Sequence, residues 1–113
     1  MLSTLAGPSS PPREVSVEVL GPSFVEVNWQ EPPLVHHNGP NLSYIITYFP
    51  TNDQTEIVDI HVTVDRDEAI LHTMLTDLVP FTKYSFRVSA VNAAGAGPFS
   101  VAVEETTEED GEC

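Results

Sequence analysis

In the run Leu78-Val79-Pro80-Phe81-Thr82-Lys83-Tyr84-Ser85-Phe86-Arg87-Val88-Ser89-Ala90-Val91-Asn92, a proline-bearing turn passes directly into a segment where Tyr84, Phe86, Val88 and Ala90 alternate with Ser85, Arg87 and Ser89. Alternation with period two sends one row of side chains to a core and the other away from it. A tyrosine at the head of such a strand can bury its ring while its oxygen bonds backbone a few residues upstream, the tyrosine corner of Greek-key sandwiches. The run therefore points to two facing sheets rather than to a catalytic fold.

The remaining segments carry the same period. Val15, Val17 and Val19 alternate with Glu14, Ser16 and Glu18, and after Gly21-Pro22-Ser23 the residues Val25, Val27 and Trp29 share one face. Pro32-Pro33 ends that strand, and His36-His37-Asn38-Gly39-Pro40 reads as a loop. In Leu42 to Phe49 both faces are bulky, with Tyr44, Ile46 and Tyr48 on one and Ile45, Thr47 and Phe49 on the other. Val58, Ile60, Val62 and Val64 mark a fourth strand. Residues 67 to 78, taken alone, suit a helix capped by Asp67 with a stripe of Ile70, Leu71, Met74, Leu75 and Leu78. A lone helix would interrupt an otherwise all-strand chain, so a strand with Leu71, Thr73 and Leu75 inward is expected instead. Ala94-Gly95-Ala96-Gly97-Pro98 reads as a turn, and Phe99 to Glu105 as the seventh and last strand.

A chain of 113 residues holds one ordinary core. No apolar stretch approaches the roughly 20 residues that span a bilayer. Four Lys and Arg stand against 17 Asp and Glu, and the formal charge of -13 repels phosphate backbones and anionic head groups. Nucleic acid and direct membrane contact are therefore not expected. Cys113 is the single cysteine, so packing rather than an internal disulfide must hold the fold.

With these residues in place the chain resembles a fibronectin type III domain over residues 11–107, leaving 1–10 as a flexible leader and 108–113 as an acidic flexible tail. The resemblance rests on Pro11-Pro12, Trp29, Asn38-Gly39-Pro40 before Tyr44, then Leu78, Pro80, Thr82, Tyr84, Asn92, Gly95, Gly97 and Ser100. It implies an all-β, seven-stranded antiparallel Greek-key sandwich, with strands A, B and E in one sheet and C, C′, F and G in the other. It also implies structural roles: Trp29 as central core aromatic, Tyr84 as corner tyrosine and Leu78 as the plug before the turn, with Tyr44 facing inward.

Asp65-Arg66-Asp67-Glu68, with Asp59, offers carboxylates for calcium, but no glycine-punctuated ligand loop accompanies them, so a solvated acidic turn is preferred. His36, His37, His61 and His72 are too scattered for a zinc site. No Gly-x-Ser-x-Gly elbow occurs, and Gly95-Ala96-Gly97 precedes a strand rather than a helix, so neither nucleophilic catalysis nor a dinucleotide cofactor is implied. Ala93 to Pro98 lacks Arg-Gly-Asp, and no Trp-Ser-x-Trp-Ser stretch precedes or lies in the last strand. Asn41-Leu42-Ser43 is a glycosylation sequon beside a loop. If Tyr44 and Tyr84 face inward, Ile45, Phe49 and Val91 lie on the outer face of the larger sheet and form a candidate interface.

The expectation is a non-catalytic protein-interaction or spacer module of a multidomain adhesion molecule or cell-surface receptor, placed outside the cell and meeting a protein partner or neighbouring domains. No cofactor or metal is expected. The alternatives are a cytoplasmic scaffold module and an accessory domain of an enzyme, such as a receptor phosphatase, whose catalysis lies elsewhere.

Overall fold

The computed structural model describes residues 8, 10–32, 43–63, 70–92 and 94–109. Their strands are β1 (Arg13–Val19), β2 (Val25–Gln30), β3 (Ser43–Pro50), β4 (Val58–Val62), β5 (Leu71–Leu75), β6 (Lys83–Asn92), β7 (Gly95–Phe99) and β8 (Val103–Thr106). One sheet runs β1-β2-β5; the other runs β4-β3-β6-β7, with β8 also paired to β6. All pairings are antiparallel. The sandwich is all-β, as the alternation requires, and its two sheets hold the strands that the resemblance assigned to them.

The core forms where the inward rows of the two sheets meet. Val25, Val27 and Trp29 on β2 are wholly buried and pair in register with Leu75, Thr73 and Leu71 on β5. From the facing sheet come Tyr44, Ile46 and Tyr48 of β3 with Ala90, Val88 and Phe86 of β6. The Trp29 and Tyr44 rings tilt at 58° with centroids 5.3 Å apart, so the indole touches both layers. Tyr48, Tyr84 and Phe86 make a second ring cluster, with centroids 5.9–6.1 Å apart.

Residues 71–75 are strand, and burial explains why the local helical pattern loses. Ile70 and Met74, two of the five apolar residues of the would-be helical stripe, stay 55% and 50% exposed, whereas Leu71 and Leu75 pack opposite Trp29 and Val25. Pairing with β2 completes a ladder and buries two leucines against the indole layer, gains that a helix isolated from both sheets cannot match.

The last strand departs from expectation in two ways. Gly95–Phe99 is strand rather than turn, because the reversal is tighter: Asn92 and Gly95 are register partners, and Asn92 Oδ1 accepts the amides of Ala94 at 2.8 Å and Gly95 at 3.2 Å. Gly95 has φ 141°, a conformation that side chains rarely adopt. The expected single seventh strand is then split into β7 and β8, making eight. The register against β6 slips between Ser89 and Val91, where Pro98 has no amide to donate. Beyond Phe99, Ser100 stands in for the ladder: its amide donates to Val88 O at 2.8 Å while its Oγ accepts from Val88 N at 3.0 Å.

The corner before β6 is bound from several sides. Tyr84 Oη accepts the Val79 amide at 2.9 Å. Thr107 Oγ1 donates to Val79 O at 2.7 Å and accepts from the Thr82 amide at 3.0 Å. The Phe81 amide donates to Glu108 O, and the Glu108 amide to Gly21 O. Thr107, the last residue of the expected domain, is buried because its hydroxyl is held between the Val79 carbonyl and the Thr82 amide. At the other end Pro8, within the expected leader, is buried, and its carbonyl lies so close to Gly97 that any Cβ there would collide with it. On β1, the register slips between Arg13 and Ser16, and Glu14 takes φ 53°, so this outer strand is bulged near its start.

Two substitutions test this frame. Trp29→Ala is expected to cost about 3–5 kcal/mol, comparable with the whole stability of many domains, so a thermal melt matching wild type would contradict the indole's place in the core. Tyr84→Phe is expected to fold and to lose about 1 kcal/mol, with the Val79 amide left without its acceptor; an unshifted melt would remove the corner bond from the stability of the fold.

Candidate interaction surface

Among the described residues no group of three or more metal-ligating side chains comes together. The Asp65-to-Glu68 turn, His36, His37, Asn41 and Cys113 lie outside the described residues. His61 is exposed on β4 and His72 on β5, where its Nδ1 is 3.6 Å from Glu26 Oε2. Trp29, Tyr44, Leu78 and Tyr84 are all buried in the interior. The outer face of the five-stranded sheet remains as the surface that combines apolar residues with a rigid platform.

Register fixes that face row by row. His61, Ile45, Ser89 and Phe99 stand in one row across β4, β3, β6 and β7. Asp59, Thr47 and Arg87 form the next row on one side, and Ser43, Val91 and Ala96 the next on the other. Ile45 is therefore diagonal to Val91 across β3 and β6, within reach of a shared contact. Phe49 pairs with Ser85, four residues down the strand from Ile45 and so about 13 Å away. The structure thus groups Ile45 with Val91, leaves Phe49 as a separate apolar point and adds Phe99, which the sequence reading placed only in a closing strand.

Phe99 is 40% exposed, and the Arg87 guanidinium carbon sits 4.3 Å from its ring centroid. This stacking holds a cation flat on the sheet and keeps the ring from folding away. Between the large side chains the surface is lined by small polar residues that are themselves buried: Thr47, Ser85 and Ser89. Thr47 Oγ1 donates to Asp59 Oδ1 at 2.7 Å, whereas Ser89 Oγ has no hydrogen-bond partner among the described residues. Lys83 Nζ and Glu104 Oε1, 3.4 Å apart, edge the face near Phe49's row. The result is an apolar knob of Ile45, Val91 and Phe99 with Arg87 at its flank and acidic groups around it.

Comparison with known proteins agrees with this fold. Over 100 residues the chain is 34% identical to Protein sidekick-1 from Homo sapiens, covering 88% of this chain and 4% of that protein. It is 37% identical over 109 residues to Cell adhesion molecule DSCAM from Rattus norvegicus, covering 93% of this chain and 5% of that protein. The solution structure of the fn3 domain of human contactin 1 superposes with a TM-score of 0.77 at 32% identity, covering 96% of this chain and 86% of that one. The chain accordingly spans only a twentieth or less of the length of these two curated relatives. A sequence model of the fibronectin type III domain matches residues 10–106, and the chain belongs to that family.

Proposed function

We propose that this domain is a non-catalytic interaction module of a multidomain cell-adhesion protein, presenting the outer face of its five-stranded sheet to a protein partner. The observation that carries the reading is the row Ile45, Ser89 and Phe99, with Val91 beside it and Arg87 stacked on Phe99. Large apolar and arginine side chains rising from a floor of buried small residues resemble the anchor residues of protein interfaces. Relatedness to a named cell adhesion molecule supports the same class.

The test separates folding from association. In cells expressing the full-length parent protein, Ile45→Asp is expected to weaken adhesion by about tenfold in binding terms, and Phe49→Asp by less because it lies outside the cluster. Melts of both variants should stay near wild type, since neither residue belongs to the buried core. Unchanged adhesion with Ile45→Asp and Phe49→Asp both folded rejects this face.

We also propose placement outside the cell, supported by kinship to a named cell adhesion molecule and by the Asn41-Leu42-Ser43 sequon. Mass analysis of protein secreted from a eukaryotic cell is expected to find a glycan on Asn41. An unmodified Asn41 removes that support.

A further inference from the structure

On the same outer face, and resting on the reading of it as an interaction surface, β6 carries two polar side chains whose bonds the fold leaves unmade. Ser89 is 0% exposed, yet its Oγ has no hydrogen-bond partner among the described residues, and the Nε of Arg87 is likewise buried without one. Two residues apart on one strand, both side chains leave the sheet on its outer side. Buried polar atoms in folded proteins are nearly always paired, so two such orphans side by side mark a place where an outside group completes the bonding.

The Arg87 guanidinium is also an unneutralised cation. Among the described residues Lys83 has Glu104 at 3.4 Å, and Arg13 Nε donates to the Glu31 carbonyl at 3.0 Å. Arg87 has an aromatic ring instead: its Cζ lies 4.3 Å from the Phe99 centroid, and no carboxylate or carbonyl takes its N–H groups. Asp59, two strands across in the same row, accepts the Thr47 hydroxyl at 2.7 Å. A guanidinium laid on a ring with its donors open is held ready for an anion.

We propose that Arg87 and Ser89 receive an aspartate or glutamate side chain from a protein partner. The Arg87 arm swings off the Phe99 ring, turning Nε outward, and the guanidinium and the Ser89 hydroxyl both donate to the carboxylate. Ile45, Val91 and Phe99 then take apolar side chains that flank the acid. The flanks matter because the domain carries -13: a run of acidic residues is repelled over the screening distance of about 8 Å at physiological ionic strength, whereas one carboxylate in an apolar segment meets chiefly its two donors. The same repulsion grows with ligand charge, which favours a carboxylate over a phosphate dianion.

The test titrates the isotopically labelled 113-residue chain with acetyl-Leu-Glu-Leu-amide and follows the backbone amides and the Arg87 Nε–H signal. Saturable shifts are expected at Ile45, Arg87, Ser89 and Phe99, and acetyl-Leu-Gln-Leu-amide is expected to bind about tenfold more weakly. Arg87→Gln is expected to weaken binding of the glutamate peptide about tenfold and Ser89→Ala about threefold. Ser89→Ala should melt at or above the wild-type temperature, because it removes a hydroxyl that bonds nothing in the described fold, whereas a serine kept for structure would lose stability. Equal binding of the glutamine peptide, equal saturation by inorganic phosphate, or unaltered affinity in both variants overturns the assignment, and the glutamine control depends on no variant folding. Shifts that appear on concentrating the chain alone make a second copy the occupant and overturn it too. If Ile45→Asp weakens adhesion while the two peptides bind alike, the face stands and the carboxylate falls; if Ile45→Asp adheres normally, the face falls and the assignment with it.

Discussion

The larger sheet is organised on β6, which pairs with β3 along one edge and with β7 and β8 along the other. β3 runs against it from Ser43–Val91 to Pro50–Tyr84 without a break in register, while β7 and β8 share its other edge in two pieces. A strand held on both sides cannot slip by one residue without turning its buried row into solvent. That constraint sets Tyr84, Phe86, Val88 and Ala90 inward and obliges Ser85, Arg87, Ser89 and Val91 outward. The core and the outer face are therefore two consequences of one register.

The corner that delivers the chain into β6 uses few atoms for several tasks. Tyr84 contributes its ring to the aromatic cluster and its oxygen to the Val79 amide. Thr107, far along the chain, satisfies Val79 O and the Thr82 amide from the other side. Buried backbone groups left open would each cost about 1–3 kcal/mol, so tying the final residues to the corner stabilises both. It also forms one wall of the cavity at Tyr48, where Asp77, Leu78 and Val79 stand against the end of β3.

Much of this was legible because period-two alternation is a physical demand rather than a statistical habit. The rows of β2, β3 and β6 could be read directly, and the segment at 71–75 could be assigned only by asking what its neighbours would do with a helix. The last strand was harder. Two register offsets against β6, around Gly97-Pro98 and Ser100, break its parity, so no pattern in the letters shows that Phe99 faces outward over Ser89 beside Arg87. Thr107 and Pro8 were missed for a related reason: each is buried by a contact with a segment remote in sequence, and neither lies in a patterned run. The cavity at Tyr48 is likewise an encounter of Tyr48 and Pro50 with Glu56, Val58, Asp77, Leu78, Val79 and Tyr84, which no local spacing announces.

The bulged start of β1 has a consequence for crowding. A regular outer strand offers a row of open amides and carbonyls on which another sandwich can build. Glu14, turned into left-handed backbone, interrupts that row, and Glu14 and Glu18 are exposed along it as like charges. Two such edges brought together meet mismatched donors and mutual repulsion. Copies of this sandwich packed side by side at high local density are thereby kept as separate folded bodies instead of fusing into a continuous sheet.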